Sequence, residues 1–555
     1  MLLTLTACHA SLSNWMFDCT GEEDWPRQVR GMAQLAANLL HPQPRTAPDV
    51  PMAHAGLNPF GINVFLEQEV EEWKREKSLQ MVADAGFHWI RQGFTWEDIE
   101  IHGQGDFVDR RNDPAGIDAW AKYDHIVSLA DQYDLEIIAR LSNPPAWTRA
   151  LTNTIGTHAP PDDLADWGDY VYAVVSRYRG RVRYYQLWNE PNIYPEWGEQ
   201  PVDPEGYTRL LCEGYRRAKE ADPDAVIIGG ALAPTVSLHL GPGPGTGLND
   251  FVFLQRMYDA GAADCFDILS VNDYMLWSGP TDHRMRPLNI NFARPVYIRD
   301  IMVANGDAAK SVWISEMNSN AVPNDPNIQD WIRFGQVTPE QQARYAVLAY
   351  QRAMEEWPWM GVVNFWFFKR ADDTERNQSW YYFRMVEPDF SPLPVYEAMR
   401  EYTASLTPTL YPGAHQEDHW ALEYTSTPLS AGAGNWETIR DTAATLGAYR
   451  RTTTPGATLR FTFEGASLTL APGPGAGEVE VSVDGNAPRR VSLDERPVRL
   501  VRDWWQKRHE VTLTAVAGEV SIDGLIVQRP WSPSHWLVGL LVLLVVTTLV
   551  VLRRR

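Results

Sequence analysis

Two glutamates in this chain have the neighbours and the spacing that carboxylate chemistry requires. Glu190 lies in the run Trp-Asn-Glu-Pro-Asn at 188–192, and Glu316 lies in Trp-Ile-Ser-Glu-Met-Asn at 313–318. Each follows a short apolar run with β propensity, so we expect each where a buried strand reaches solvent. A single carboxylate in such a place is usually a strand cap or a surface charge. Two carboxyl groups on one rim can take different roles in catalysis. One can protonate a leaving oxygen while the other attacks or stabilises the carbon to which that oxygen is bonded.

The elements around the two glutamates alternate in type. Apolar runs of strand length, each followed by a segment with helical spacing, recur between residues 56 and 406. The predicted strands are 61–65, 87–91, 135–141, 182–187, 225–229, 266–271, 311–314 and 362–367. This series of strand and helix pairs with short connections predicts an α/β fold, a closed (β/α)8 TIM barrel. A doubly wound open sheet is the alternative architecture.

The order of the elements gives each glutamate a position. Glu190 ends the fourth predicted strand, and Glu316 ends the seventh, about 126 residues later, which is about three βα units of ordinary size. Because the carboxyl ends of all barrel strands meet at one rim, both side chains are predicted to face the same site.

These motifs resemble the clan of retaining glycoside hydrolases that is built on a (β/α)8 barrel. The chain is most similar to families 39 and 5, over roughly residues 56–406. In that clan an Asn-Glu pair at the end of the fourth strand supplies the acid/base, and a Glu at the end of the seventh is the nucleophile. The resemblance therefore implies that Glu190 is the acid/base, that Glu316 is the nucleophile, and that no cofactor takes part.

Further rim residues are candidate substrate-binding positions: Arg91, Trp147, Asn189, Asn272, Tyr274 and Trp366. The resemblance implies that Arg91 contacts the nucleophile carboxylate, that Asn189 binds the hydroxyl next to the anomeric carbon, and that Tyr274 points its hydroxyl at the nucleophile. It also implies that Trp366 forms the floor of the innermost sugar site. Trp147 offers a stacking face after the third strand. The alternatives are a structural salt bridge for Arg91 and simple packing for the aromatic residues.

Strand six departs from the resemblance at one position. Many relatives have a His two residues before the Tyr, whereas this chain has Asn272 before Tyr274. An Asn side chain donates hydrogen bonds but carries no charge. We therefore expect that the nucleophile's side of the site lacks an ion-assisted contact at this point.

Composition is consistent with a large carbohydrate-binding protein and argues against some other classes. The chain has 555 residues, which predicts two folded domains plus appendages. Its 23 Trp and 22 Tyr supply flat faces that stack on sugar rings, although most of them must serve the core. The formal net charge of −22 argues against nucleic acid as a partner, because phosphate binding needs clustered Lys and Arg. We find no motif with metal-ligand spacing.

Beyond residue 407 the hydrophobic pattern changes to short alternating runs. Turn residues such as the Asp-Gly pairs at 484–485 and 523–524 separate these runs. Residues 407–530 are therefore predicted to form a β-sandwich, similar to the jelly-roll accessory domains of secreted glycosidases. Trp436, Trp504 and Trp505 could form a sugar platform there, and core packing or a spacer role is the alternative.

The two ends of the chain carry targeting signals. Residues 1–55 combine a predicted helix with the Pro-rich linker 41–51, and Cys8 follows a sequence with the shape of a lipoprotein cleavage box. Residues 536–552 are apolar apart from two Thr, and Arg553–Arg555 follow directly. We expect a single transmembrane helix within 531–555, with the basic tail in the cytoplasm and the catalytic domain on the extracellular side of the plasma membrane.

The remaining cysteines are Cys19, Cys212 and Cys265. Four cysteines in a chain of this size do not indicate a disulfide scaffold. Cys212 lies in a predicted helix and Cys265 opens a predicted strand, so both are interpreted as buried thiols, with a disulfide bridge as the alternative.

The leading hypothesis is a retaining O-glycoside hydrolase at the cell surface. It would act on an oligo- or polysaccharide by double displacement, through a glycosyl-enzyme intermediate. The alternative is a non-catalytic surface protein that uses the same barrel to bind glycan.

Overall fold

The computed structural model describes residues 12–149, 158–241, 243–425, 436–494 and 496–530. The described chain forms two compact units. The first comprises residues 12–47 and 58–406, and the second comprises residues 48–57 and 407–530. The segment 48–57 therefore groups with the C-terminal unit, where Pro48 O accepts from Ala414 N at 3.0 Å and Gly56 O accepts from Trp420 N at 2.8 Å.

The first unit is a closed barrel of eight parallel strands, which confirms the predicted (β/α)8 architecture. In chain order the strands are β1 (Phe60–Val64), β2 (Trp89–Thr95), β3 (Glu136–Ser142), β4 (Tyr184–Leu187), β5 (Val226–Leu232), β6 (Ile268–Asn272), β7 (Val312–Met317) and β8 (Met360–Phe365). Each pairs with its neighbour in sequence, and β1 also pairs with β8 to close the ring. The strands are largely buried apolar runs, because helices cover the outside and side chains fill the inside.

Helices follow every barrel strand: Glu72–Asp84, Ala121–Gln132, Leu164–Tyr178, Pro204–Ala221, Asp250–Asp259, Arg294–Ala304, Pro339–Glu356 and Pro394–Ser405. Their starts follow from local chemistry. Thr338 forms a capping box with Gln341, and Pro339 occupies the first turn, where a missing N–H costs nothing. A further helix, Trp25–Asn38, precedes the barrel.

The barrel interior changes from aromatic to polar along the strands. Trp89, Tyr184 and Trp313 pack against one another with ring centroids 5.0–5.4 Å apart. Two residues further along β2 and β4, Arg91 and Gln186 point to the same side, because side chains alternate along a strand. The aromatic layer therefore supports a polar layer that opens at the carboxyl ends of the strands.

The second unit is an antiparallel β domain, as the alternating sequence pattern predicts. Its strands are β9 (Thr409–Leu410), β10 (Gly413–Gln416), β11 (Glu423–Thr425), β12 (Glu437–Arg440), β13 (Ala448–Thr452), β14 (Thr458–Ala471), β15 (Gly477–Val483), β16 (Arg489–Leu493), β17 (Val498–Gly518), β18 (Val520–Ile522) and β19 (Gly524–Gln528). One sheet has the order β10-β19-β14-β17-β15-β16, with β9 and β11 also paired to β14, and β12-β13-β18 form another. Buried apolar side chains of both sheets belong to one core.

The three tryptophans of the proposed sugar platform do not lie together on a surface. Trp436 is 8% exposed, belongs to the core of the β domain and donates its indole N–H to Thr458 O. Trp504 and Trp505 are 81% and 60% exposed on β17. The platform interpretation is therefore wrong for Trp436, because this side chain packs inward.

The interpretation of Cys212 and Cys265 as separate thiols is wrong. The two residues form a disulfide, with their Cα atoms 4.7 Å apart and a sequence separation of 53. Cys212 lies on the helix after β4, and Cys265 lies in the short 3-10 turn Ala262–Cys265 that precedes β6. Packing of this turn beside the helix brings the two sulfur atoms together.

Several targeting predictions concern residues outside the described ranges. Cys8 and the apolar run 536–552 both lie there. Within the ranges that the structure describes, no helix has the combined length and hydrophobicity that a membrane crossing requires.

Candidate active site

The backbone at the end of β4 turns sharply where Glu190 leaves the strand. Trp188 and Glu190 have φ angles of 77° and 42°, in the left-handed region that non-glycine residues rarely adopt. Glu190 N donates to Ala231 O at 3.1 Å, which ties this turn to the end of β5. Unusual backbone of this kind is concentrated at functional sites, because the surrounding structure must hold it in place.

Both oxygens of the Glu316 carboxylate accept a hydrogen bond. Arg91 Nη1 lies 3.0 Å from Oε1, and the Tyr274 hydroxyl donates to Oε2 at 2.6 Å. The side chains of Arg91 and Glu316 are 2% and 5% exposed. These two contacts, one to each oxygen, fix the orientation of the carboxylate.

Arg91 joins four strands through its guanidinium. Its Nε donates to Gln186 Oε1 at 2.6 Å, its Nη1 to Asn63 Oδ1 at 2.7 Å, and its Nη2 to Asn189 Oδ1 at 2.7 Å. Burial lowers the pKa of Arg91 to about 10, although the charge of Glu316 opposes this shift. The guanidinium therefore remains protonated at neutral pH beside Glu316.

Glu190 lies in an environment that favours its protonated form. Burial, and then the negative charges of Glu316 and Glu196, raise the pKa of Glu190 well above its usual range. Asn272 Nδ2 donates to Glu190 Oε1 at 2.7 Å, and this hydrogen bond only partly offsets the rise. The two predicted carboxylates thus lie in different surroundings: Glu316 accepts hydrogen bonds from a guanidinium and a phenol, whereas burial and negative neighbours favour the protonated form of Glu190.

Asn272 lies on the acid side of the site, which differs from the sequence interpretation. Its Cα pairs with that of Glu316 in the sheet register, but its amide reaches Glu190 instead of the neighbouring glutamate. Tyr274, two residues later, contacts Glu316. Because β6 lies between β4 and β7 in the barrel, Asn272 contacts Glu190 whereas Tyr274 contacts Glu316.

The two predicted stacking tryptophans lie in different surroundings. Trp366 follows β8, is half-buried, and donates its backbone N–H to Met317 O at 3.0 Å, which places it beside the end of β7. Its ring meets Phe65 edge-on at 5.5 Å, and the Trp366–Phe367 peptide bond is cis. Trp147 donates its indole N–H to Glu100 O at 2.9 Å. Trp366 thus borders the Glu316 strand, whereas the contacts of Trp147 lie among the loops.

Asn63 and Gln186 belong to the site although no sequence motif predicts them. Both are buried, and both contact Arg91. Each is a polar residue inside an otherwise apolar strand run, which is the signal that could have revealed them, since buried polar groups need partners.

A third carboxylate, that of Glu196, acts on Glu190 and was not among the predicted site residues. Glu196 Oε2 lies 3.6 Å from His158 Nδ1 and accepts a hydrogen bond from Asn189 Nδ2 at 3.4 Å. Burial alone would raise the pKa of Glu196, but the His158 contact and the charge of Arg140 outweigh it and lower the pKa. Contact with Glu196 in turn raises the pKa of His158. No sequence motif predicts this pair, because the loop conformations bring it together.

No protein-family model matches the chain, and no curated protein matches it. Among solved structures, the chain is similar to a family 39 glycoside hydrolase from the gut symbiont Bacteroides cellulosilyticus WH2, with 19% identity, a TM-score of 0.47, and coverage of 84% of this chain and 83% of that chain. It is also similar to a family 39 enzyme from Xanthomonas axonopodis pv. citri, with 15% identity, a TM-score of 0.44, and coverage of 86% and 98%. A β-xylosidase from Caulobacter crescentus CB15 matches with 13% identity, a TM-score of 0.44, and the same coverage. Likeness at this level carries no chemistry from one protein to another, so the function must follow from the site of this chain.

Proposed function

We propose that this protein is a retaining glycoside hydrolase that cleaves O-glycosyl bonds by double displacement. One observation carries the proposal: the same barrel rim holds Glu316 between a guanidinium and a phenol, and holds Glu190 on an amide where burial and negative neighbours favour its protonated form. A nucleophilic carboxylate and a carboxylic acid are the two groups that this reaction requires.

In the first step Glu316 attacks the anomeric carbon of the bound sugar. The glycosidic C–O bond breaks as Glu190 gives its proton to the leaving oxygen, so the leaving group departs as an alcohol. One oxygen of Glu316 is now bonded to the anomeric carbon as an ester. Arg91 and Tyr274 hold the carboxylate in one orientation before the attack, which lowers the entropic cost of reaching it.

In the second step water replaces the enzyme at the same carbon. Glu190, now a carboxylate, takes a proton from the water as its oxygen attacks the anomeric carbon. The ester bond to Glu316 breaks, and the carboxylate returns to its contact with Arg91. Esterification of Glu316 removes one of the charges that raise the pKa of Glu190, so the same residue changes from acid to base between the steps.

The position of Asn272 favours the retaining form of this chemistry over an inverting one. Its amide contacts Glu190 at 2.7 Å, while its backbone lies opposite Glu316 on the adjacent strand. Adjacent strands are about 4.8 Å apart. An amide that contacts Glu190 from a position beside Glu316 in the sheet is consistent with the short carboxyl separation of about 5–5.5 Å that retaining enzymes use.

Hydrolysis of aryl glycosides tests the proposal directly. We expect wild-type turnover, no turnover by E316A, and slow turnover by E190A that persists best on substrates with activated leaving groups, because those need little protonation. E199Q, which removes an exposed charge from the loop after β4, is the matched control. Proton NMR of the first-formed product should show retention of the anomeric configuration.

Two results would contradict the proposal in different ways. Equal turnover by wild type and E316A, or no turnover of any glycoside by wild type, would favour the alternative of a glycan-binding barrel, which isothermal calorimetry with oligosaccharides would then detect. Inversion of configuration, or failure of a 2-fluoroglycoside to label Glu316, would retain hydrolysis but exclude Glu316 as the nucleophile.

We further propose that the enzyme acts on oligo- or polysaccharide at the cell surface. The support is in the sequence: an apolar run at 536–552 with three terminal arginines is typical of a single-pass anchor with its tail in the cytoplasm. Protease treatment of intact cells should remove the catalytic domain and release it from the membrane fraction. A protein that stays protected in intact cells and becomes accessible only after lysis would contradict this location.

A further inference from the structure

The loop after β4 places Glu196 beside the acid/base. Glu196 N donates to Ile193 O at 3.0 Å, and Glu196 O accepts from the indole N–H of Trp188 at 2.8 Å. Its backbone is therefore tied to the residue that opens the turn carrying Glu190. The side chain is 23% exposed, so it lies at the edge of the site and not in open solvent.

The Asn189 amide is held at both ends. Its Oδ1 accepts from Arg91 at 2.7 Å, and its Nδ2 donates to Glu196 Oε2 at 3.4 Å. An amide that binds a cation on one side and an anion on the other has only one favourable orientation. Arg91 and Glu196 together orient the amide so that the N–H group of Asn189, and not its oxygen, faces the loop side of the site.

The charge of Glu196 outlasts that of Glu316 during catalysis. His158 and Arg140 keep Glu196 ionised, and its negative charge acts on Glu190 together with that of Glu316. In the proposed reaction Glu316 loses its charge when it becomes an ester, whereas Glu196 takes no part in bonding. A like charge therefore remains next to Glu190 in the second step, when Glu190 must accept a proton from water.

We propose that Glu196 is a positioning residue for the acid/base, which orients the Asn189 amide and supplies a lasting negative charge beside Glu190. This inference rests on the proposed hydrolase function. The other charged or titratable groups that act on Glu190, Glu196 or His158 come from several elements: Arg91 on β2, Glu97 after β2, Arg140 on β3, Tyr274 after β6 and Glu316 on β7. Among these acidic groups, Glu196 is the one that contacts Asn189 and keeps its negative charge through both steps of the proposed reaction.

The test compares full-length wild type, E196Q, E196D and the exposed-charge control E199Q. The first measurement is kcat/KM against pH on a glycoside with a poor leaving group, which needs Glu190 protonated. We expect the alkaline limb of E196Q to move to lower pH, so that its activity falls several-fold on that side of the optimum. E196D should recover much of the wild-type profile, and E199Q should match it.

The second measurement is kcat on a dinitrophenyl glycoside. This substrate is chosen because its good leaving group makes hydrolysis of the glycosyl-enzyme the slow step. We expect a several-fold decrease in E196Q, because Glu190 becomes a weaker base once both negative neighbours are absent. Azide, which attacks without needing a base, should restore this rate.

The outcomes separate the two proposals. An active wild type whose E196Q variant has an unchanged alkaline limb, or loses activity equally at every pH without azide rescue, overturns the role of Glu196 and leaves the hydrolase function intact. A wild type that hydrolyses no glycoside overturns both. If the melting temperature of E196Q equals that of wild type, a shifted pH profile is not the result of misfolding.

Discussion

Replacing Arg91 by Met should destabilise the barrel and disable its chemistry together. The variant leaves Glu316 as a buried anion without its cation, and Gln186, Asn63 and Asn189 each lose a donor at 2.6–2.7 Å. Water cannot replace these donors, because both charged side chains are almost completely buried. Removal of one partner from a buried ion pair costs about 3–5 kcal/mol, and we expect a loss of this size in the free energy of unfolding.

A second substitution distinguishes the effect of the unpaired Glu316 charge on stability from the effect of lost packing at Arg91. In R91M/E316Q the remaining partner is neutral, so the double variant should be about 0.5–3 kcal/mol more stable than the sum of the single changes predicts. R284M is the matched control, since Arg284 forms a comparably buried pair with Asp282, at 3% and 0% side-chain exposure, outside the site. R284M should lose stability but keep its kcat/KM, whereas R91M should lose about a hundredfold in kcat/KM through misplacement of the carboxylate.

Urea unfolding, followed by hydrogen exchange in peptides from β2 and β7, measures the barrel separately from the β domain. An R91M variant within about 1 kcal/mol of wild type would refute the reasoning, because the buried anion would then have found another partner. Equal activity losses in R91M and R284M would refute the assignment of Arg91 to the site.

Tyr274, Glu190 and the Cys212–Cys265 bridge each give a further prediction. Y274F removes the hydroxyl that contacts the nucleophile carboxylate and keeps the ring, so kcat/KM should fall about 10- to 150-fold, the equivalent of about 1.5–3 kcal/mol for a hydrogen bond to a charge. The control Y350F removes a buried hydroxyl bonded to a backbone carbonyl elsewhere in the barrel and should keep its activity; equal losses in both variants would contradict the role of Tyr274. Because the pKa of Glu190 is raised, its acid form persists above the usual range of a carboxyl, so the pH profile on poor leaving groups should stay high through weakly acidic pH and fall as pH rises through that raised pKa; a fall that begins near the ordinary pKa of a glutamate would disagree. C212S removes the disulfide to Cys265, and the loop-entropy relation for a separation of 53 predicts a loss of about 4 kcal/mol in the free energy of unfolding, with no change in kcat. Thermal unfolding with and without reductant measures this loss. An unchanged melting temperature would exclude a stabilising bridge.

The order of the barrel elements could be predicted because its signals are local. The helices at 204–221 and 339–356 begin at a proline that follows a capping residue, and both signals lie within a few positions of the helix start. The strands are apolar runs that end where polar residues begin, which located Glu190 and Glu316 at strand ends. Strand limits differed by a few residues, since the last hydrogen bonds of a strand depend on its neighbours.

Other features required the folded chain. Cys212 and Cys265 lie in separate elements, and nothing near either one in sequence signals the other. The same holds for His158 and Glu196, which meet only through the loops that follow β3 and β4. The segment 48–57 has the composition of a linker, but its backbone pairs with strand and turn residues more than 350 positions later.

By itself the sequence determined which residues could do chemistry and on which strands they lie, because hydrophobic period, caps and turns act over a few neighbours. Only the tertiary structure decided what each carboxylate is for. Arg91 and Tyr274 meet Glu316, and Asn272 and Glu196 act on Glu190, only once the barrel has closed. Protonation depends on burial and on charges within a few ångströms, and these are properties of the folded chain that no local pattern contains.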